Sequence, residues 1–203
     1  MKKKILKSIG EGINAISQLS DPQNLDFIQK SAELLAHVFQ DKKKVLIAGN
    51  GGSLCDASHF AEELTGFFRK KRHPLPAIAI SDPGYLTCVG NDLGFEYIFG
   101  RAIEAYGEAD DLFIGLTTSG NSQNLVNAFQ TAKKQNLKTI AFLGKGGGKL
   151  RGIADLEILI CDLVTSDRIQ EAHMAAIHII IEMMEEILFS ETQKELIGTV
   201  MSV

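Results

Sequence analysis

The chain of 203 residues contains 45% hydrophobic residues and 19 glycines, which suits one α/β-sized domain with a buried core and excludes a large multidomain machine. Lysine and arginine total 21 against 25 acidic residues, so a net charge of −4 provides no overall positive field for nucleic acid or an anionic membrane. A local pocket for one phosphate group is compatible with this charge.

Two predicted helices come first, at residues 3–19 and 24–40, separated by a break at residues 20–22. Lys7 and Glu11 interrupt the apolar run that a signal peptide would need, so we expect an amphipathic helix there instead. Leading helices of this kind often pack outside a sheet or against another subunit.

Short apolar runs bounded by turn residues then recur along the chain and predict buried parallel strands. These runs are residues 45–49, 77–80, 112–116, 139–143 and 156–160. Segments with helical periodicity lie between or after them, at residues 53–68, 121–135 and 168–189. The alternation of strands and helices predicts a doubly wound α/β sheet.

We interpret residues 1–203 as one domain, because repeats and flexible linkers are absent. Residues 1–41 form the leading helices, residues 42–189 form the α/β core, and residues 190–203 are a weakly patterned tail. Glutamates interrupt the apolar stretch at residues 177–189, so no membrane span is expected.

The three cysteines, Cys55, Cys88 and Cys161, are odd in number and far apart. This spacing fits neither a disulfide framework nor a Cys-x-x-Cys metal site, so we expect a reducing cytoplasm.

A glycine-rich turn, residues 49–53, follows the first strand and opens a helix, an arrangement that favours anions. The third glycine of a dinucleotide-binding fingerprint would fall at Leu54, so a dinucleotide is not expected. A purely structural turn is the alternative.

A second loop, after the third strand, carries four hydroxyl groups, those of Thr117, Thr118, Ser119 and Ser122. A helix cap needs one hydroxyl, so the surplus suggests that the loop holds a phosphate with hydroxyls and backbone N–H groups.

Residues 144–150 resemble a nucleotide-binding Walker A loop at first sight. The leading glycine of that motif would fall at Leu143, and Leu150 stands where the magnesium-binding hydroxyl belongs. We therefore expect no nucleotide cofactor.

His59 and Glu63 are spaced i and i+4 on the helix after the glycine turn, which suits a metal or a base with its partner. A solvated contact is the alternative. On the last helix, Gln170 and His178 share one side, and composition does not separate His173 from His178 as the functional histidine.

Together these motifs resemble the bacterial phosphoheptose isomerases, sugar isomerase (SIS) domain enzymes that start heptose synthesis for lipopolysaccharide. The resemblance covers about residues 3–189. It rests on residues 49–53, 59–64, 89–92, 118–122 and 168–173, and on His178.

The resemblance implies a flavodoxin-like three-layer α/β/α sandwich with a five-stranded parallel sheet, assembled as a homotetramer with active sites between subunits. It implies isomerisation of sedoheptulose 7-phosphate to D-glycero-D-manno-heptose 7-phosphate, with Glu63 as general base and His178 as general acid. The implied substrate contacts are Asn50, Gly51, Gly52, Ser53, Asn91, Asp92, Thr117, Thr118, Ser119, Ser122, Asp167 and Gln170. The implied zinc ligands are His59, Glu63, Gln170 and His178.

A carboxylate bound tightly to zinc is a poorer base, so we rank the proton-transfer roles of Glu63 and His178 above the zinc assignment. Many relatives carry arginine where this chain has Phe67; either Arg69 substitutes for it or a polar contact is missing.

Two other functions remain open at this stage. One is a catalytically silent SIS protein that binds a replication initiator, a branch that lacks the acidic residue and histidine found here at Glu63 and His178. The other is an SIS isomerase for a different sugar phosphate.

Overall fold

The computed structural model describes residues 1–69, 71–163 and 165–189, which form a parallel sheet between two helical layers. The strands are β1 (Val45–Gly49), β2 (Ala77–Ala79), β3 (Leu112–Thr117), β4 (Lys138–Gly144) and β5 (Leu156–Ile160). The helices are α1 (Lys2–Ser17), α2 (Pro22–Gln40), α3 (Gly52–Thr65), α4 (Pro83–Asp92), α5 (Ile98–Tyr106), α6 (Gln123–Lys134) and α7 (Ser166–Phe189).

The strand order is β2-β1-β3-β4-β5 with every pairing parallel, which confirms the predicted flavodoxin-like fold. Chain order reverses between β1 and β3, where Gly49 pairs with Leu116. The loops that follow β1 and β3 therefore lie next to each other at the carboxyl ends of the strands. Such a switch point is where open α/β sheets bind ligands.

Alternating side chains of the strands feed two separate cores. Val45 and Ile47 face a core shared with α1, α2, α3 and α7, whereas Leu46 and Ala48 face one shared with α5 and α6. Because both faces are covered, the strands are mostly apolar, which is why the sequence predicted them.

Several predicted helix ends differ from the structure. α1 ends at Ser17 rather than residue 19, α2 begins at Pro22 rather than residue 24, and α7 begins at Ser166 rather than residue 168. α3 ends at Thr65 rather than Phe68, because the backbone turns away at Gly66 (φ −81°, ψ −119°). α6 begins at Gln123 rather than residue 121, because Ser122 at its N-cap is extended (φ −63°, ψ 114°).

Helices α4 and α5 have no counterpart among the predicted elements. Asp82 caps α4 by accepting a hydrogen bond from the Tyr85 backbone N–H at 2.7 Å, and the Tyr85 hydroxyl donates to the Ile98 carbonyl at 2.8 Å. The predicted tail, residues 190–203, lies outside the described residues. None of the helices in the described ranges combines the length and hydropathy that a bilayer-spanning segment requires.

Candidate active site

The glycine turn after β1 is forced by close backbone packing. A Cβ atom at Gly49 would lie 2.4 Å from the Ser53 carbonyl oxygen, and Gly51 has a φ of +57°. Gly52 then begins α3, so the N-terminus of that helix points to the switch point.

Asn50 in this turn forms a reciprocal amide pair with Asn124 on α6. Each side-chain Nδ2 donates to the other residue's Oδ1, at 3.0 and 2.9 Å, and Asn124 is buried. The pair joins the two switch-point loops. Asn124 was missed by the sequence analysis because only its long-range partner gives it a role.

Two of the four hydroxyls of the loop after β3 bind within the loop, and a third binds the start of α7. Thr117 Oγ1 accepts from the Gly120 backbone N–H at 3.2 Å, Ser119 Oγ accepts from the Asn121 N–H at 3.2 Å, and Thr118 Oγ1 donates to Ser166 Oγ at 3.0 Å. The structure therefore gives three of the four hydroxyls a partner.

Ser122 differs from the other three. It is the N-cap residue of α6, yet its side chain makes no capping bond within the described part of the chain. Together with Asn50 and Phe95 it lines a groove of about 440 Å³. This groove places a hydroxyl and an amide beside the start of α6.

The glycine-rich segment after β4, which resembled a nucleotide loop, packs directly against the loop after β3. A Cβ atom at Gly120 (φ +65°) would lie 1.7 Å from the Gly147 carbonyl oxygen. One at Gly148 (φ +56°) would lie 2.4 Å from the Ser119 carbonyl oxygen. These glycines let the two loops touch, so the segment acts as a support for residues 118–122.

A cluster of titratable side chains lies where α3 meets α7. His59 and Glu63 project from α3 and His178 from α7, and one donor atom of each lies within 4.8 Å of the others. The Nε2 atoms of the two histidines are 2.9 Å apart, and His59 Nε2 is 3.5 Å from Glu63 Oε1. The predicted i, i+4 pair is therefore joined by the histidine of the second helix.

The surroundings of His178 favour its neutral form. Burial lowers the pKa of His178, the neighbouring His59 lowers it further, and Glu63 opposes the shift. Phe68 stacks on its ring with centroids 5.6 Å apart. A neutral imidazole can both donate and accept a proton.

Arg69 approaches this cluster from the loop after α3. Its guanidinium lies 5.3 Å from the centre of the Phe68 ring and pairs with Glu182, one turn after His178 on α7. Phe67, by contrast, is exposed. Arg69 thus supplies a positive charge near His178 that Phe67 cannot.

A groove of about 590 Å³ extends from His178 along α7 and is lined by Asp56, Asp167 and Gln170. Gln170 reaches the glycine turn, because its Nε2 lies 3.5 Å from Ser53 Oγ. A Cβ atom at Gly52 would meet the Gln170 amide at 2.6 Å. The groove therefore connects the titratable cluster with the first loop.

Asp56 lines the same groove and was not predicted from the sequence. Its Oδ2 atom is buried without a hydrogen-bond partner among the described residues, and burial raises its pKa to about 6. Asp56 precedes His59 by three residues and Glu63 by seven, so helical spacing alone could have placed all three on one face.

The structure separates the two histidines of α7. His173 is fully buried, its Nε2 lies 3.0 Å from the Leu143 carbonyl oxygen, and Phe142 packs against its ring. Burial lowers the pKa of His173 to about 4. His173 is therefore a neutral core residue, whereas His178 faces Glu63.

Asn91 and Asp92 are predicted site residues that the structure places at the end of α4. Both are exposed, and Asn91 Nδ2 donates to Asp92 Oδ1 at 2.8 Å. Neither residue lines the two grooves described above.

The titratable cluster fits a metal ion by its donor set. Two imidazole nitrogens and a carboxylate oxygen are ligands that zinc accepts, and atoms each about 2.0–2.1 Å from a tetrahedral ion lie roughly 3.4 Å apart. The separations here are 2.9 and 3.5 Å. Glu62 Oε1 lies 2.9 Å from His59 Nδ1, which leaves Nε2 of that ring facing the cluster.

Comparison with known proteins identifies the family. The SIS domain family model matches residues 11–144. Phosphoheptose isomerases of Fusobacterium nucleatum and Vibrio cholerae are 58% and 52% identical, covering 82% and 83% of this chain and 86% and 88% of theirs.

Solved structures of phosphoheptose isomerases give the same result. Those from Francisella tularensis and Neisseria gonorrhoeae are 32% and 33% identical, with TM-scores of 0.85 and 0.82. Each comparison covers 91% of this chain, and 97% and 98% of the respective solved chain. The chain belongs to the SIS-domain family and, within it, to the phosphoheptose isomerases.

Proposed function

We propose that the chain converts sedoheptulose 7-phosphate to D-glycero-D-manno-heptose 7-phosphate through an enediol(ate). The observation that carries this proposal is the convergence of Glu63 and His178 where α3 meets α7, with His178 in a groove that it shares with Gln170, whose amide reaches the start of α3. An aldose–ketose isomerisation needs one group that takes a carbon-bound proton and another that manages the carbonyl oxygen.

Glu63 is the base in this mechanism. Its carboxylate takes the proton from C1 of the ketose and returns it to C2 of the enediol(ate). His178, kept neutral by its surroundings, donates its N–H to the C2 carbonyl oxygen as negative charge develops there, and takes a proton back from the C1 hydroxyl as the aldehyde forms. Each transfer contributes on the order of 10²–10⁴ in rate.

The phosphate is held without a lysine. We assign it to the loops at Gly51–Ser53 and Thr118–Ser122, which lie at the starts of α3 and α6 and include the Ser122 hydroxyl. Binding energy from this remote group positions the reacting carbons. This explains how a chain of net charge −4 binds a sugar phosphate.

We further propose zinc as the metal, held by His59, Glu63, Gln170 and His178. When bound, zinc would polarise the carbonyl and stabilise enediolate charge. Calorimetric titration of chelated protein with zinc tests the site: the His59→Gln variant is expected to lose binding. Full activity of a metal-free preparation would remove zinc from the mechanism.

We propose a homotetramer with active sites between subunits. The support is an exposed apolar stripe along α1, whose last member, Ile16, lines the groove of Gln170 and His178. The stripe consists of Ile5, Leu6, Ile9, Ile13 and Ile16, each 45–68% exposed. Asn91 and Asp92, outside both grooves, fit a contribution to another subunit's site. Sedimentation velocity tests this: Ile9→Asp combined with Ile13→Asp is expected to lower the oligomeric state.

We also place this reaction in the cytoplasm. The free cysteines support this, since Cys55 and Cys88 are exposed and all three are unpaired among the described residues.

The substrate is tested by incubating pure protein with sedoheptulose 7-phosphate, fructose 6-phosphate or ribulose 5-phosphate and following products by NMR. We expect aldose formation from the heptulose in clear preference to the others. Turnover of another ketose phosphate without conversion of the heptulose would favour a different SIS isomerase. Absence of turnover on all three would favour the silent regulatory alternative.

A further inference from the structure

The loop after α3 inserts one arginine into the junction of α3 and α7. The side chain of Arg72 is 3% exposed, and its Nε donates to Glu185 Oε1 at 2.6 Å; the Glu185 side chain is 6% exposed. Both charges of this pair are buried, so water cannot solvate one of them when its partner is removed.

The same guanidinium also binds the end of α3. Nη2 donates to the carbonyl oxygen of Glu63 at 2.8 Å, and Nη1 donates to those of Leu64 at 2.9 Å and Gly66 at 3.2 Å. Because α3 ends at Thr65, its last carbonyls have no partner within the helix. The planar fork of arginine satisfies several of them at once, which an ammonium group does less well.

Glu185 connects this cap to the second half of the cluster. It follows His178 by seven residues on α7, about two turns, and so lies on the same face of that helix. The Arg72 side chain therefore binds both the backbone of Glu63 and, through Glu185, the helix that carries His178.

We infer that Arg72 and Glu185 are positioning residues, which set the distance between Glu63 and His178 and thereby the rate of proton transfer. This inference rests on the proposed function. The hydrogen bonds of Arg72 and Glu185 among the described residues do not involve the loops assigned to the phosphate. Misplacement of a reacting group by about 1 Å can cost on the order of 10² in rate. Loss of the pair should therefore lower kcat and leave KM nearly unchanged.

The test compares Arg72→Gln, Arg72→Lys and Glu185→Gln with the unmodified protein on sedoheptulose 7-phosphate, well below each melting temperature. We expect kcat to fall by roughly 10–100-fold in Arg72→Gln, with KM within about threefold. Arg72→Lys should recover part of the loss, since it keeps the charge pair with Glu185 but reaches fewer carbonyls.

Asp111→Asn is the matched control. Asp111 is a buried carboxylate like Glu185; it pairs with Lys44 at 2.7 Å and accepts hydrogen bonds from the backbone N–H groups of Lys44 and Glu108. It lies just before β3, at the amino ends of the strands and therefore opposite the candidate site. The Asp111→Asn variant should have a lower melting temperature and an unchanged kcat.

The inference is overturned if the Arg72 and Glu185 variants lose stability as Asp111→Asn does but keep the kcat of the unmodified protein. That result leaves the proposed function intact. An unmodified protein that does not isomerise the heptulose would instead refute the proposed function itself.

Discussion

The two parts of the candidate site, the loops after β1 and β3 and the junction of α3 and α7, are built in different ways. The loops at residues 50–53 and 118–122 are fixed by glycines in close contact and by hydroxyls that bind within the loop. The junction of α3 and α7 instead gathers histidines and carboxylates, and burial there lowers the pKa of His178 and raises that of Asp56. A phosphate needs a rigid set of N–H groups, whereas proton transfer needs groups that titrate.

This contrast predicts that substitutions in the two regions affect different kinetic constants. Changes in the loops should act mainly on KM, because they alter substrate binding. Changes at the α3–α7 junction should act mainly on kcat, because they alter steps that occur only in the transition state.

The largest effect is expected at the junction. Glu63→Gln and His178→Gln each remove a proton-transfer group while keeping a side chain of similar size, so kcat should fall by about 10²–10⁴-fold. KM should stay within a few-fold, as measured by steady-state kinetics.

His37→Gln provides the control for these two variants, because His37 is an exposed histidine of α2 that contacts the Glu33 carbonyl. It should leave both constants unchanged. Turnover like that of the unmodified protein in Glu63→Gln or His178→Gln would contradict the proton-transfer roles.

An intermediate effect is expected in the loops. Gly148→Ala forces a side chain into a positive-φ position 2.4 Å from the Ser119 carbonyl oxygen, a strain of roughly 1–3 kcal/mol that displaces the supported loop. KM and the inhibition constant of inorganic phosphate should both rise by about tenfold, with a smaller change in kcat.

Gly146→Ala is the matched substitution in the same segment, since nothing lies within 4 Å of the added carbon. Its constants should equal those of the unmodified protein. Equal KM values for the two alanine variants would show that the segment does not support the phosphate loop.

The smallest effect concerns His173, which shares α7 with His178 but belongs to the core. Its pKa is about 4 when folded, against an ordinary value of 6.5, so the unfolded chain takes up its proton first as pH falls. The stability that its neutral form provides is complete above pH 6.5 and declines towards pH 4.

Urea unfolding at pH 7 and pH 5 measures this contribution, which should amount to about 2 kcal/mol lost over that interval. His173→Gln should show a correspondingly weaker pH dependence. An equal loss of unfolding free energy in both proteins would refute the assignment of His173 as a buried neutral group.

The sheet could be predicted from sequence because its strands are covered on both faces. Residues 45–49 and 156–160 were predicted with the bounds that the structure shows. Helix α4 was not predicted, since it buries only Val89 and begins with proline and glycine, so it carries little periodic signal.

The site could be predicted only where its signal is local. The spacing of His59 and Glu63 indicated a pair, but His173 and His178 are five residues apart, about 140° around the helix, and periodicity does not say which side is functional. Asn124 and Arg72 acquire their roles from partners that are 74 and 113 residues away.

Proton transfer between Glu63 and the sugar is tested most directly by isomerising sedoheptulose 7-phosphate in D₂O and reading the product by NMR. We expect deuterium at C2 of the aldose, because the carboxyl proton exchanges with solvent before it is returned to carbon. We expect no such product from Glu63→Gln. Complete transfer of the substrate's own hydrogen from C1 to C2, equally fast in Glu63→Gln, would contradict the enediol(ate) mechanism.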